Sequence, residues 1–451
     1  MAGSVNFPAM LSDYLSLAID LPYPPDFARL GEHLPYDWIE AAVTSTDKAS
    51  IRQRRLPAEQ VVWLVIALAI YRYKSVKEIV DSLDLAFSKT GEKCITSGAT
   101  TQARQRLGEE PLKWLFETSA TRWIEQDQDR FLFHGLHLLA MDGTTLRLAD
   151  SPANREFFGA QTYAKGSVAS YPQSRGVTLM MVDTQLVRDA RFGAYQSSEM
   201  SFAHELLPSI PENSLTIIDR GYLCAELLVN LGRSGSNRHF LIPAKSNTKW
   251  ELIEGSIDDG LVEMNVSPAA RKKDPTLPKK WRARAVRVMN KAGKISYLLT
   301  SLLDQTKFKA GDLVDCYSRR WGIETSYREL KHSMLGSALT LRSMTEKGTR
   351  QEIWGALIAY NLIRLEMAKA ALEAKCEPTA ISFTLALMTM RTELMMIGPA
   401  TAQGNIPAIL KRLRERLVLE LKARRPDRKF DRVVKAVAQR YPERRRKVDA
   451  I

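Results

Sequence analysis

The segment Leu215-Thr-Ile-Ile218 constrains the fold most, because it is short and apolar and ends abruptly in Asp219-Arg-Gly-Tyr222. A short apolar run that stops at a glycine-containing turn is typical of a buried strand in an α/β sheet. Open α/β sheets place their functional sites at the carboxyl ends of such strands. Asp219 is therefore a candidate site residue.

The residues around this strand predict a mixed α/β domain. An alternating segment upstream carries Asp142 near its middle, and two further strand-like segments follow it as a hairpin. The order of three strands, helix, strand, helix and strand predicts a sheet with parallel and antiparallel neighbours. Besides 215–218, the predicted strands are 136–148, 177–183, 186–192 and 239–244, and the predicted helices are 201–210 and 224–231.

Residues 247–303 differ in pattern and predict a β-rich insertion. Three strand-like segments surround a basic, proline-containing loop, residues 271–280. Trp281 and Tyr297 in this region are candidates for stacking on a nucleic-acid base. The alternative, which we favour, is that both rings fill the small core of the insertion.

The first 125 residues predict a helical domain. The run Val61–Tyr71 is apolar all round, which predicts a buried helix, and Ser75 is placed to cap the next one. A later segment, rich in Gln and Arg, contains Arg104 and Arg106. Short helices joined by tight breaks suit a helix-turn-helix-like DNA-binding bundle. An ordinary helical subdomain is the alternative.

The charge balance favours a polyanionic partner. The 451 residues carry a net charge of +14, and residues 411–451 hold sixteen basic against six acidic side chains. Nucleic acid is the commonest large polyanion, and an anionic membrane surface is the alternative. The tail can bind phosphates without reading sequence, or it can be a solvated basic tail; the two interpretations are compatible.

Several other classes of function are disfavoured by the sequence. The sequence contains no apolar span of 18 residues, so no membrane helix is predicted. It also contains no Walker-type motif, so no nucleotide cofactor is predicted. The four cysteines are far apart, which fits a reducing cytosol better than a disulfide framework. His134 and His137 have the spacing of a metal pair, but no Cys or acid pair accompanies them, so a zinc site is disfavoured.

The stretch from Tyr317 to Lys331 predicts one α-helix with a charged face. At about 100° per residue, five side chains fall within one narrow arc. The acid on this face is suited to hold a metal and its cations to hold phosphates; a solvated face with four-residue ion pairs is the alternative. The five residues are Tyr317, Arg320, Glu324, Arg328 and Lys331.

Asp142, Asp219 and Glu324 are candidates to converge, one from each of two strands and one from this helix. Three crowded carboxylates repel one another, so such a site makes sense only with cations in it. Mg²⁺ or Mn²⁺ suits oxygen ligands. Two such ions about 3.5–4 Å apart can activate a water or 3′-hydroxyl and stabilise the oxygen that leaves a phosphodiester.

The sequence resembles the insertion-sequence-four family of DDE transposases. Tyr317, Arg320, Glu324 and Lys331 match the family's Tyr-Arg-Glu-Lys signature with two, three and six intervening residues. Asp142-Gly-Thr and Asp219-Arg-Gly-Tyr look like its first and second acid motifs. The resemblance extends over residues 50–370, from the N-terminal domain, with Gln102-Ala-Arg-Gln-Arg-Leu-Gly, to the C-terminal helices, with Ala359-Tyr-Asn-Leu-Ile-Arg.

The resemblance implies an RNase H-like core interrupted by a β-rich insertion. It implies that Asp142, Asp219 and Glu324 bind two Mg²⁺ or Mn²⁺ ions and catalyse cut-and-paste transposition. It further implies that Tyr317, Arg320 and Lys331 contact DNA phosphates near the cleaved end. We add Arg328 because it shares their face. A hairpin intermediate, common in relatives, needs a flipped base, for which Trp281, Tyr297 and Trp321 are the candidate stacking partners.

The expected partners are double-stranded DNA, as terminal inverted repeats and as target, and a second copy of the chain in a synaptic dimer. The expected location is the bacterial cytoplasm, with the nucleoid when DNA is bound. A binding-only, domesticated transposase and an RNase H-like nuclease without strand transfer are the rival hypotheses. The expected domains are 1–125 (helical, DNA-binding), 126–246 and 304–400 (the core and its packing helices), 247–303 (the insertion) and 401–451 (the basic tail).

Overall fold

A computed structural model describes most of the chain between residues 33 and 419. The described ranges are 33–49, 56–82, 96–126, 130–163, 168–289, 293, 295–336, 341–396 and 406–419. The first 32 residues of the predicted helical domain and the part of the basic tail beyond residue 419 lie outside these ranges. The described residues form two compact units, a helical unit of residues 33–119 and 329–419 and a sheet unit of residues 120–328.

The helical unit is built around two long buried helices. One is α2 (Ala58–Ile70), which contains most of the predicted apolar run and in which every residue but Glu59 is buried. The other is α12 (Glu346–Glu373). They approach closely because α12 has Gly355 at the contact, where an added Cβ would lie 2.6 Å from Val65 Cγ1. The helices are α1 (Tyr36–Ser45), α2 (Ala58–Ile70), α3 (Val76–Ser82), α4 (Ser97–Leu107), α5 (Glu110–Gln126, which runs into the sheet unit), α12 (Glu346–Glu373), α13 (Phe383–Met396) and α14 (Ile406–Leu419).

The cap predicted at Ser75 is present. The Glu78 N–H donates to Ser75 Oγ at 3.2 Å, and the Ser75 N–H donates to Glu78 Oε2 at 2.6 Å. This reciprocal pair is a capping box, which satisfies two backbone donors at the start of α3. No helix among the described residues is long and apolar enough to span a membrane.

The sheet unit contains one ten-stranded mixed sheet. Its order is β4-β3-β2-β5-β6-β10-β9-β8-β7, with β1 paired to β2; β2, β5 and β6 are parallel, and the other neighbours are antiparallel. The strands are β1 (Leu132–Phe133), β2 (Leu136–Arg147), β3 (Gln173–Met181), β4 (Val187–Ala194), β5 (Ser214–Ile218), β6 (Arg238–Pro243), β7 (Glu251–Gly255), β8 (Asp259–Asn265), β9 (Lys280–Met289) and β10 (Ile295–Thr300). The predicted mixed α/β class is confirmed.

The helices of the sheet unit connect and cover these strands. Both predicted helices are present, α7 shorter than expected because its last turn becomes a 3₁₀ turn. The short helices α6 and α9 were not predicted; α9 begins at Pro268, where Ser267 caps it, and extends into the basic loop expected at 271–280. The helices are α6 (Pro152–Phe158), α7 (Glu199–Leu206), α8 (Ala225–Arg233), α9 (Pro268–Lys273), α10 (Ala310–Ser318) and α11 (Trp321–Arg328).

One hydrophobic core runs through the sheet unit. It joins residues of the first strands, such as Leu139 and Val177, to residues of the later strands, such as Val262 and Ala283. Strands β7 to β10 are therefore added to one edge of the same sheet; β8, β9 and β10 share its core, whereas β7 is exposed. The pairing of β2 with β5 ends at Met141 and Ile218, and polar side chains follow there.

Candidate active site

Asp142 and Asp219 directly follow the last residues that pair the parallel strands β2 and β5 with each other. The β2–β5 register ends with Met141 opposite Ile218, and each acid is the next residue along its strand. Met141 and Ile218 are fully buried, whereas Asp142 and Asp219 are half-buried. The two carboxylates therefore stand side by side at the edge where open α/β sheets carry their sites.

The Asp142 carboxyl lies in an environment that disfavours its charge. Burial raises its pKa to about 6, and the nearby charges of Asp219 and Glu324 act in the same direction. The Gly143 N–H, which donates to Asp142 Oδ1 at 2.8 Å, and the Arg320 guanidinium oppose the rise. A positive charge near this carboxyl therefore favours its ionised form.

Asp219 is held by the turn that follows it. Its side chain accepts from the Gly221 N–H at 3.0 Å, so it caps the 3₁₀ turn Arg220–Tyr222. Tyr222, the last residue of this turn, is buried in the core. The Asp-Arg-Gly-Tyr sequence therefore ends the strand and fixes the acid in one compact turn.

The third acid, Glu324, is carried by α11. The helix predicted from Tyr317 to Lys331 is wrong as one continuous α-helix, because α10 ends at Ser318 and α11 begins at Trp321. Tight bonds join them: the Arg320 N–H donates to the Tyr317 carbonyl at 3.0 Å and the Ile323 N–H to the Arg320 carbonyl at 3.0 Å. These three-residue bonds turn the chain faster than an α-helix does.

The chain departs from the α-helix again after Arg328. Residues Glu329–Met334 form π-helical turns, which turn the chain more slowly. Buried Glu329 at their start accepts from Arg364 and, at 3.3 Å, from the Tyr360 hydroxyl. These partners lie some thirty residues away in sequence, so local periodicity could not predict the break. Lys331 is half-buried in these turns and belongs to the helical unit.

Arg320 joins two of the three acids. Its Nη2 lies 2.6 Å from Glu324 Oε1, and its Nη1 lies 3.3 Å from Asp142 Oδ2. The four-residue pair Arg320–Glu324 proposed for a solvated face therefore exists, but this guanidinium is largely buried and shared with a strand residue. Tyr317 lies beneath it, with the guanidinium carbon 6.0 Å from the ring centroid. Arg328 is exposed.

The sequence did not single out two further polar side chains beside the Asp-Gly-Thr motif, Tyr327 and, on the opposite face of β2, Glu199. The Tyr327 hydroxyl donates to the Asp142 carbonyl oxygen at 2.5 Å. Glu199, on α7, accepts from the Tyr222 hydroxyl at 3.4 Å and lies 3.8 Å from Arg175 Nε. The sequence alone could not identify these two residues, because each is placed by contacts with residues distant in sequence.

Gly143 in the Asp-Gly-Thr motif is explained by Glu199. A Cβ at position 143 would lie 2.5 Å from Glu199 Oε2, closer than real Cβ contacts come. The carboxylate thus occupies the space that a side chain would fill on the face of β2 opposite the Asp142 side chain. A glycine at position 143 thus leaves room for the Glu199 carboxylate.

The candidate stacking residues are in three different settings. Trp281 is buried in the core 6.0 Å from Phe240, as the core interpretation expected, and a buried ring offers no free face to a base in this conformation. Tyr297 is half-buried and packs edge-on against Trp250 at 5.2 Å. Trp321 is 64% exposed and directly follows Arg320, so of the three it has the most accessible ring.

Arg104 has a structural setting that corrects the prediction of a DNA contact. Its guanidinium donates to Gln351 Oε1 at 3.0 Å and to Ser343 Oγ at 2.9 Å. Burial lowers the pKa of Arg104. Through Nε and Nη2 this guanidinium anchors α4 to α12 and to the segment before it. Arg106 on the same helix is exposed.

The chemistry of the donor set at the site suits a hard divalent cation. The oxygens of Asp142, Asp219 and Glu324 are the donors that Mg²⁺ and Mn²⁺ prefer. In this conformation, no group of three or more His, Cys, Asp or Glu side chains among the described residues has metal-binding geometry. In this conformation the Arg320 guanidinium supplies the positive charge between Asp142 and Glu324.

Comparison with known proteins identifies the family. Residues 24–117 match the family "Insertion element 4 transposase N-terminal", and residues 134–362 match "Transposase DDE domain". The transposase InsG for insertion sequence element IS4 of Escherichia coli (strain K12) is 35% identical over 446 residues, which cover 97% of this chain and 100% of that protein.

Two further similarities were found. InsZ, of the same strain, is 36% identical over 250 residues, or 54% of this chain and 81% of that protein. A chain of the piggyBac transposase synaptic complex with hairpin DNA, solved by cryo-EM, has a TM-score of 0.44 at 10% identity, over 91% of this chain and 87% of that one. That likeness is too distant to assign the fold. The match to the family model and the 35% identity to InsG over nearly the whole of both chains show that this chain belongs to the IS4 family of DDE transposases.

Proposed function

We propose that this transposase moves its insertion sequence by metal-dependent cut-and-paste transposition, with Asp142, Asp219 and Glu324 as the catalytic acids. The observation that carries the proposal is the contact of one guanidinium, that of Arg320, with both Asp142 and Glu324, beside the strand that ends at Asp219. This contact joins the helix that carries Glu324 to the strand that carries Asp142, which supports a shared role for the two acids.

The three acids are proposed to hold two Mg²⁺ or Mn²⁺ ions, which when bound supply an activated water or 3′-hydroxyl and stabilise the leaving oxygen. The protein's own task is to bring these carboxylates together and to keep a phosphodiester in line with them. The raised pKa of Asp142 supports this role, because such a carboxyl gains most from a bound cation.

The cations of the Tyr-Arg-Glu-Lys signature are proposed to hold the DNA backbone. Arg320 has two donor nitrogens that suit a phosphate as well as they suit two carboxylates. Tyr317 supports the Arg320 guanidinium with its ring, and exposed Arg328 extends the positive surface. Lys331 is proposed to reach a phosphate near the cleaved end.

A hairpin intermediate is proposed for second-strand cleavage, with Trp321 as the base-stacking residue. The route requires a base flipped out of the duplex and held against an aromatic ring. Trp321 is exposed next to Arg320, whereas Trp281 is buried. The ring nearest to the proposed phosphate contacts is therefore the best candidate.

The finer architecture is also a proposal. We take the mixed sheet β4-β3-β2-β5-β6 as an RNase H-like core, and β7–β10 with α9 as a β-rich insertion at residues 247–303. Core segments at 126–246 and 304–400, an N-terminal DNA-binding domain at 1–125 and a basic tail at 401–451 complete the chain. The positions of Asp142 within β2, of Asp219 directly after β5 and of Glu324 on α11 support the assignment of the core.

The proposed substrates are the element's terminal inverted repeats and a target DNA, bound by two copies of the chain in a synaptic complex. The net charge of +14 supports binding to a polyanion. We place the protein in the bacterial cytoplasm, on the nucleoid when DNA is bound.

The experiment uses a labelled duplex that carries the element's own end, the purified protein and a supercoiled target plasmid. Incubation with Mg²⁺ is expected to release the end at the element boundary, to give hairpin-sized product and to join the end to the plasmid, and EDTA is expected to abolish all three. Cleavage without joining would support a nuclease that lacks strand transfer. Binding without cleavage in Mg²⁺ or Mn²⁺, with two ends supplied, would support a binding-only protein.

A further inference from the structure

The hydroxyl of Tyr327 lies between the helix that carries Glu324 and the strand that carries Asp142. It is 2.5 Å from the Asp142 carbonyl oxygen and 2.8 Å from Thr178 Oγ1. A carbonyl can only accept, so the single phenolic proton goes to Asp142. The Thr178 hydroxyl must then donate to Tyr327, and the three groups form one chain of hydrogen bonds.

These three residues come from three elements of the sheet unit. Asp142 on β2 and Thr178 on β3 are directly opposite in the antiparallel register, so their side chains are on the same face of the sheet. Tyr327 is on α11, one turn after Glu324. The hydroxyl therefore fixes α11 to the peptide group of the first acid and to its neighbour across the strand pair.

The setting indicates a specific role for the oxygen, in addition to packing of the ring. Tyr327 is 7% exposed, and a phenylalanine would fill the same volume without a polar atom to bury. Burying a hydroxyl costs little free energy only when its hydrogen bonds are made, and here the Asp142 carbonyl and the Thr178 hydroxyl provide them. The bonds restrict where α11 can slide or rotate over β2.

We propose that Tyr327 is a positioning residue that sets the spacing between the carboxylates of Asp142 and Glu324. This inference rests on the proposed function in one respect only, the use of those carboxylates as metal ligands. Metal-binding geometry tolerates shifts of a few tenths of an ångström, so a tether one helical turn from Glu324 controls whether both acids reach one ion. Tyr327 itself touches neither metal nor DNA in this proposal.

The test compares Tyr327→Phe with Tyr360→Phe. Tyr360 is a matched control, because it is also buried and also uses its hydroxyl, to Glu329 and Arg364, but in the helical unit. Mn²⁺ affinity of the DNA-free protein, measured by titration, is expected to fall at least tenfold in Tyr327→Phe and less than twofold in Tyr360→Phe. DNA-end binding is expected to stay within twofold of wild type in both.

A second measurement needs no metal. In EDTA, backbone hydrogen exchange of the peptides that contain Asp142 and Glu324 is expected to become faster in Tyr327→Phe and to stay unchanged in Tyr360→Phe. Thr178→Val should have a smaller effect, because the bond to Asp142 remains, and the double variant with Tyr327→Phe should be no worse than Tyr327→Phe alone.

The outcomes separate this inference from the proposed function. Equal losses of thermal stability in both tyrosine variants, with unchanged Mn²⁺ affinity and unchanged exchange near Asp142 and Glu324, would overturn the positioning role and leave a purely structural one. A wild-type protein that binds no Mn²⁺ would contradict the metal-dependent function, and the exchange comparison would then decide the role of Tyr327 by itself.

Discussion

Arg320 Nη2 lies 2.6 Å from Glu324 Oε1, and the opposite nitrogen of the same guanidinium lies 3.3 Å from Asp142 Oδ2. A positive side chain thus occupies the space between two proposed metal ligands. A metal ion and the Arg320 guanidinium would compete for the same carboxylate oxygens. Metal binding should therefore release Arg320, which can then hold a DNA phosphate. Binding of metal and of DNA should then favour each other.

Arg320→Ala is therefore expected to bind Mn²⁺ more tightly than wild type when DNA is absent. The matched control is Arg319→Ala, which also removes a positive charge, but one that pairs with Asp183 instead. We expect a gain of about tenfold, or ~1.4 kcal/mol, for Arg320→Ala and little change for Arg319→Ala. Titration of both variants checks this, and equal gains would show only a general charge effect.

Gly143→Ala is expected to slow DNA cleavage without unfolding the protein. The new Cβ displaces the Glu199 carboxylate, which then loses Tyr222 and Arg175. Because a flexible carboxylate yields easily, stability should change little, while cleavage falls by about tenfold, or ~1.4 kcal/mol of barrier.

Two comparisons sharpen the test of position 143. Adding Glu199→Ala to Gly143→Ala should slow cleavage no further than Glu199→Ala alone, since both changes remove the same contacts. Gly311→Ala, where an added Cβ meets no described heavy atom within 4 Å, should leave cleavage unchanged. Additive losses in the double variant would contradict the link between Gly143 and Glu199.

Asp142 should make the metal-free protein less stable as pH rises. Its pKa is raised from 3.8 to about 6 in the folded protein, so the folded state holds the proton more tightly than the unfolded state does. Stability from this group is fully present below pH 4 and is lost as the pH passes through about 6, by about 3 kcal/mol in total.

The measurement is chemical denaturation in EDTA at several pH values, for wild type and Asp142→Asn. The stability of the variant relative to wild type should increase between pH 4 and pH 6 and then level off. The contributions of groups that do not interact with Asp142 cancel in this difference. A constant difference across that range would show that Asp142 has an ordinary pKa.

Arg104→Met is expected to lower stability and to leave the salt dependence of DNA binding unchanged. The change leaves Gln351 and Ser343 without a charged donor, a loss of about 2–3 kcal/mol. Arg106→Met is the comparison, because its exposed charge would reduce the slope of log K against log salt by about 1 if it contacts a phosphate. Melting curves and salt titrations separate the two, and a reduced slope for Arg104→Met would restore its DNA role.

Strand patterns in the sequence were sufficient to predict the mixed sheet and the placement of Asp142 and Asp219. A short apolar strand that ends at Asp219 is expected in the middle of a sheet. Because this strand pairs with β2 in parallel, Asp142 lies beside Asp219. These are local features with a strong period, which is why they could be predicted.

The contacts that bring Glu324 to the site could not be predicted in the same way. The break between α10 and α11 and the π-helical turns after Arg328 depend on partners distant in sequence, such as Arg364 with Glu329. Arg104 was predicted to contact DNA because it lies in a segment rich in Gln and Arg. Its partners in the structure, Gln351 and Ser343, lie some 240 residues away in sequence. Charge and period cannot distinguish a buried anchor from a free cation.

The central claim is that Glu324 acts with Asp142 and Asp219 in cleavage, and the most direct test is Glu324→Gln on a labelled duplex that carries the element's end. With Mg²⁺, we expect binding within twofold of wild type and cleavage reduced by at least about a thousandfold, or ~4 kcal/mol. Asp315→Asn, an exposed acid on α10, should cleave like wild type. Cleavage by Glu324→Gln at the wild-type rate would contradict the three-acid site.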